Sequence, residues 1–194
     1  MTEYVKVYGK TNQDLVMPDE FGLVSSDLRK RNGEQVRVER YQHGKNVVPN
    51  NAHVTLVFGE DERLISYNNF VGDLNAPLPA KDALVQQAMA VWQNLDAQYA
   101  AGLDFMRIDN LKRFYFDEQG KLNEFAVLWV KFAHRNGSYN WVTFGPGGQI
   151  MEVERESHWD YMRSRRATEE WNYDNWVLAR EGKGPQLAAP EALA

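Results

Sequence analysis

The sequence predicts an α+β fold: an antiparallel β-meander packed by one central helix, with a helical C-terminal extension. Three observations carry this. Short runs of alternating apolar residues recur, each closed by a turn-rich stretch. One long amphipathic segment interrupts them. After residue 156 the chain changes character, to aromatics and arginines at helical spacings.

Residues 1–35 form an N-terminal arm: "EYVKVY" suits an edge strand, and "NQDLVMPDEFG" reads as loop. The sheet is expected over 36–156. "VRVERY" (Val36 to Tyr41), "HVTLVF" (His53 to Phe58) and "EFAVLWVKF" (Glu124 to Phe132) are rich in β-branched and aromatic residues, which pack well on a pleated surface. Three stretches superpose without gaps: "FGEDERLISY" from Phe58, "FDEQGKLNEF" from Phe116 and "FGPGGQIMEV" from Phe144. In each, a Phe is followed by residues of turn composition and then by Leu or Ile, the pattern of a β-hairpin. "HRNGSYNW" adds an Asn136-Gly137 turn. The repeat starts lie 58 and 28 residues apart, too irregular for a propeller or solenoid.

The helix is expected over 79–101. "PLPAKDALVQQAMAVWQNLDAQYAAG" places Leu84, Val85, Ala88, Met89, Trp92, Leu95 and Tyr99 on one face. Pro79 suits a first turn, Asp82 complements the N-terminal dipole, and Gly102 stops the helix. Residues 157–181 read as a helical cap of two helices. Ser157, with Asp160 three residues on, caps the first, and Thr168 caps the second, which ends before Gly182. Residues 182–194, rich in Gly, Pro and Ala, read as a mobile tail.

Composition removes several classes of function. A net charge of −5 argues against non-specific nucleic-acid binding, which needs surplus Lys and Arg to displace counterions. Cysteine is absent, so disulfides, thiolate metal sites and Cys nucleophiles are excluded. No apolar run has signal-peptide or membrane-spanning length, which predicts a soluble, cytoplasmic chain with no membrane partner.

Candidate chemistry is sparse. In "EVERESH" a continued strand would put Glu152, Glu154, Glu156 and His158 on one side, about 6.5–7 Å between neighbours. Glu156 and His158 are then weak candidates for a divalent ion, against the plainer reading of a solvated strand face. Zinc normally takes three or four protein ligands, so neither a metal site nor a cofactor is expected. The four histidines lack HExxH spacing, "FGPGGQ" lacks the lysine of a phosphate loop, and no Ser sits in a GxSxG elbow. No catalytic residue is assigned. The ligand- or partner-binding candidates are the aromatics and arginines of the extension: Trp159, Tyr161, Arg163, Arg166, Trp171 and Trp176. The alternative for the same residues is packing of helices against the sheet.

"VTLVFGEDERLISYNNF" followed by "AKDALVQQAMAVWQNL", and later "GSYNWVTFGPGGQIMEVE", resembles the PepSY family over roughly Val36 to Glu156. MORN- and YD-type repeats share the aromatic-D-x-x-G-x-L turn. The PepSY resemblance implies a small α+β unit that binds or restrains peptidases, usually outside the cytoplasm, and it implies no catalytic residues. This sequence shows no export signal and adds an aromatic C-terminal extension, which departs from that family. The expected function is a non-enzymatic module that binds a protein or peptide. The alternative is a small-ligand binder or hydrolase-type enzyme using a cleft between the sheet and the C-terminal helices. Homo-oligomers through the C-terminal arm are compatible with either.

Overall fold

The computed structural model describes residues 3–194. Its centre is an eight-stranded sheet in which every neighbouring pair is antiparallel. The first meander is β3 (Gly22–Arg31), β4 (Glu34–Gln42), β5 (His53–Phe58) and β6 (Leu64–Asn69). The second is β7 (Leu103–Phe116), β8 (Leu122–His134), β9 (Tyr139–Phe144) and β10 (Ile150–Ser157). The spatial order β3-β4-β5-β6-β10-β9-β8-β7 joins the two through their last strands. Phe58, Phe116 and Phe144 each end a strand, and Leu64, Leu122 and Ile150 each start the next, so all three turn-rich stretches are hairpin connections.

The first face of the sheet carries the apolar core. Helix α1 (Leu84–Ala100) lies on it, entered through a short 3-10 turn at Lys81–Ala83 that leaves Pro79 outside. Leu84, Ala88, Trp92, Leu95 and Tyr99 are buried as the periodicity requires, and Val91 joins them, whereas Val85 and Met89 pack at the margin. The helix breaks at Asp96, whose backbone is extended and whose Oδ1 accepts a hydrogen bond from Tyr99 N at 2.9 Å. Asp96 thus caps a fresh last turn inside the segment.

The N-terminal region differs from expectation. "EYVKVY" does not join the large sheet. β1 (Glu3–Val7) pairs with β2 (Lys10–Met17), so most of the stretch read as loop is a strand. This separate hairpin buries Val5, Val7, Leu15 and Met17 beside α1, and that apolar alternation is the physical reason for its strand character. The large sheet begins at Gly22 rather than at residue 36. Its first turn is Asn32-Gly33, both at positive φ (51° and 82°), the geometry a two-residue hairpin prefers.

The C-terminal cap is largely not helical. Ser157 is buried at the end of β10 and does not cap a helix. Beyond it, β11 (Trp159–Asp160) and β12 (Arg165–Arg166) form a small hairpin. Asp160 Oδ1 accepts hydrogen bonds from Met162 N (3.0 Å) and Arg163 N (3.1 Å), so the residue expected in a capping box closes a turn instead. Thr168 Oγ1 donates to Asn32 Oδ1 (2.7 Å) and accepts from His158 N (2.8 Å), which ties this segment to the first turn of the sheet. In this region helix is confined to α2 (Asp174–Arg180), whose own Trp176 is buried. Within residues 182–194 most positions are exposed, but Ala192 is 2% exposed. Among the described residues, no helix is long and apolar enough to cross a membrane.

Candidate functional site: a cleft on the second face of the sheet

Strand alternation gives the second face an unusual composition. One row of cross-strand neighbours runs Arg40, Thr55, Asn68, Glu152, Thr143 and Trp129. The next row holds Val57, Ser66, Glu154 and Trp141. Glu152 and Glu154 are therefore buried in the middle of the sheet, not on a solvated strand face. Buried carboxylates require partners, and these arrive from three directions.

The first is an arm. β9 pairs with β8 only from Leu128 to Ala133, so the distal half of the β7–β8 hairpin runs past it. There the arm closes against the β4–β5 connection: Phe116 N donates to Asn50 O (2.8 Å) and Ala52 N to Phe116 O (3.2 Å). A second apolar cluster of Phe70, Phe125, Val127 and Met151 fills the curve, with Leu111, Tyr115 and Tyr173 against it. Arg113, on this arm, meets Glu152 with Nε–Oε1 at 2.8 Å and Nη2–Oε2 at 3.1 Å. Tyr173 Oη also donates to Glu152 Oε1 at 2.9 Å. Burial opposes the charge on Glu152, but the Arg113 guanidinium outweighs it and holds the carboxyl below its usual range.

The second partner is the opposite sheet edge. Arg31 Nη2 donates to Glu154 Oε1 at 2.7 Å. Glu154 Oε2 accepts from Ser66 Oγ (2.5 Å) and Asn172 Nδ2 (3.0 Å). The third is the C-terminal segment itself. Asn172 and Asn68 exchange bonds, Nδ2 of Asn68 to the Asn172 carbonyl (2.9 Å) and Nδ2 of Asn172 to Asn68 Oδ1 (3.1 Å). Asp174 takes a fork from Arg40, at 2.7 and 2.8 Å.

Between the arm and the C-terminal segment lies a cavity of about 260 Å³ lined by His53, Phe70, Arg113, Arg166, Glu170, Tyr173, Leu187 and Glu191, among others. His53 is buried, with Nδ1 2.6 Å from Asn51 O. A carbonyl only accepts, so Nδ1 carries the proton and Nε2 keeps a free lone pair. Burial and the neighbouring Arg40 push its pKa down to about 4, so the ring is neutral. Arg166 Nε reaches Glu170 Oε1 at 3.4 Å, and its guanidinium lies 4.9 Å from the Trp141 ring centroid. Burial pushes the Glu170 carboxyl up to about 8; Arg166 opposes the shift and the Glu191 carboxylate beside it reinforces it. The Glu170 carboxyl, protonated at neutral pH, has Glu191 as its hydrogen-bond partner, whereas Arg166 Nη1 is buried and, among the described residues, has no acceptor.

A wider hollow of about 480 Å³ lies between β1 and β4–β5. Its Arg37 is paired with both Glu39 and Glu62, and Tyr41 donates to Glu39, so those groups are already engaged.

The six residues singled out in the extension do not converge. Trp159 is half-buried in β11, and Tyr161, 72% exposed, touches the Tyr139 hydroxyl. Arg163 is exposed beside Asp160. Trp171 donates its Nε1 to Lys30 O (2.7 Å) and meets the buried Trp176 edge-on, with centroids 4.9 Å apart. Of the six, Arg166 alone lines the cavity. Glu156 pairs with Arg63 (2.8 Å), and His158 is exposed. Among the described residues, no group of three or more His, Asp or Glu is placed to hold a metal ion. The cavity residues His53, Arg113, Glu170, Tyr173 and Glu191 come from four separate stretches of the sequence. The one legible clue was the alternating Glu152 and Glu154 between the apolar Ile150, Met151 and Val153.

No protein-family model matches the chain, and neither the curated proteins nor the solved structures contain a match.

Proposed function

We propose that this chain is a non-catalytic module that binds a protein or peptide segment in the cleft between the second face of the sheet and the C-terminal segment. The observation that carries the reading is that two residues lining the cavity each hold a buried polar atom without a partner: His53 Nε2 as acceptor and Arg166 Nη1 as donor. Buried groups left without partners cost free energy, and a peptide backbone, with donors and acceptors in alternation, can supply both kinds. The other charges are tied in pairs (Glu152 with Arg113, Asp174 with Arg40), which leaves them as walls rather than reagents. A cytoplasmic address belongs to the same reading. Assembly through the C-terminal arm would require copies to exchange its seat on the sheet.

Selection of a random peptide library on the immobilised chain, followed by hydrogen–deuterium exchange, tests this. Selected peptides should slow exchange in residues 111–116 and 166–175. Peptides that bind elsewhere, or none at all, defeat the proposal.

A second reading is a small-ligand or hydrolase-type site. It rests on Glu170, with a pKa near 8, and His53, with one near 4, facing one cavity. Turnover of any compound in an ester and amide panel, abolished by Glu170→Gln with the fold intact, would favour it.

A further inference from the structure

Residues 187–192 cross the cleft in a peptide-like manner. They form no helix or strand, yet Arg166 N donates to Pro190 O (2.8 Å), Arg165 Nη2 to Leu187 O (2.9 Å), and Ala192 N to Glu170 Oε1 (2.7 Å). Glu191 N also donates to Ala188 O at 3.2 Å, so the segment turns at Ala189-Pro190 rather than running extended. Bonds to main-chain oxygen and nitrogen hold such a segment irrespective of its side chains. Specificity comes from two further contacts. Ala192 is buried, at 2% exposure. The Glu191 carboxylate sits within the fields of Arg113 and Arg166, and supports the charge on both.

The seat is incompletely satisfied. Arg165 Nε and Arg166 Nη1 remain buried without acceptors while the tail occupies it. Leu187 and Glu191 line the open cavity rather than fill it. The tether between α2 and Leu187 is exposed along most of its length and carries Gly182 at φ +69°. A weakly matched occupant on a short tether is one that can be displaced.

We propose that residues 187–192 are a built-in occupant of this peptide site, and that in trans the site takes a segment of the same chemistry and turn: small apolar residues and proline leading to a carboxylate-bearing residue and then a small apolar one. This rests on the peptide-binding reading above. The tail competes from the same molecule at an effective concentration of roughly millimolar, typical for a short flexible linker. Ligands weaker than that do not enter, and the partner must either match better or meet a chain whose tail has been lifted.

The test uses a dye-labelled peptide of sequence GPQLAAPEALA, corresponding to residues 184–194, and fluorescence anisotropy. Ala192→Asp in the full chain places a charge where a methyl is buried and should release the tail. Folded A192D should bind the peptide at least ten-fold more tightly than the unaltered chain. The same peptide with Glu191→Lys should lose that binding. Equal affinity of A192D and the unaltered chain, or undiminished binding of the Lys peptide, overturns the proposal. Should A192D fail to fold, the unaltered chain is titrated with peptide to millimolar concentration and followed by NMR. The Ala192 amide should move toward its disordered position as the added peptide replaces the tail, and an unmoved Ala192 signal overturns the proposal. Library peptides that protect the cleft while the tail peptide fails reject the built-in occupant alone. No protection by either rejects the module reading as well.

Discussion

Arg113, on the folded-over arm, and Glu152, at the centre of the sheet, meet as a two-pronged fork at 2.8 and 3.1 Å. The pair joins elements that strand hydrogen bonding does not connect there, because β9 has already ended. Arg113→Met strands a buried carboxylate and should lower unfolding free energy by about 3–5 kcal/mol, whereas Arg113→Met with Glu152→Leu should fall within about 2 kcal/mol of the unaltered chain. Urea unfolding of the three proteins checks this, and equal losses in single and double variants would remove the pair from its role.

The same pair sets an acid limit. The Glu152 carboxyl is held below its unfolded value, so its contribution is present above that value and fades as pH falls through the folded one. Unfolding on the acid side should therefore move to higher pH in Arg113→Met, read by circular dichroism against pH.

Glu170 has the opposite sign. Its carboxyl is raised to about 8 in the fold, so the stabilisation of the folded seat is complete below the unfolded value of ~4.5 and is lost as pH rises toward 8. The charged groups facing it are Arg166 from β12 and Glu191 from the tail. Tail amides should be more mobile by heteronuclear NOE at pH 9 than at pH 6. Glu170→Gln should flatten that difference.

Trp176 is 0% exposed and packs edge-on against Trp171. Trp176→Ala should cost about 3–5 kcal/mol, the range for an emptied aromatic core site. A loss below about 1 kcal/mol, by urea unfolding, would place this ring at a surface.

The Asn32-Gly33 turn holds more than β3 and β4. Asn32 donates its N to Glu169 Oε2 (2.8 Å) and its Nδ2 to Glu156 O (2.7 Å), and accepts from Thr168. Gly33→Ala, at φ +82°, should cost about 1–2 kcal/mol and loosen residues 156–169 in hydrogen exchange. Unchanged exchange there would separate the turn from the C-terminal segment.

How much of this was legible in sequence follows from the range of the forces involved. The hairpins after Phe58, Phe116 and Phe144, and the buried stripe of α1, were readable because turn chemistry and periodicity act over a few residues. Asn32-Gly33 carried the same signal and places a strand at 22–31. The failures also have local causes. "SHWDYM" offers a capping pattern, but it has no apolar stripe to bury, and Asp160 closes a turn there instead.

By itself, then, the sequence determined an antiparallel meander, one packed helix and no cysteine chemistry. Only the tertiary structure decided that the second meander folds an arm over the sheet, that Glu152 and Glu154 lie buried beneath it, and that the arginines meeting them come from positions 113 and 31. A carboxylate at the centre of a sheet has no sequence-local partner. Which guanidinium neutralises it depends on strand order and on where β9 stops, and these are fixed by long-range packing rather than by any neighbouring residue.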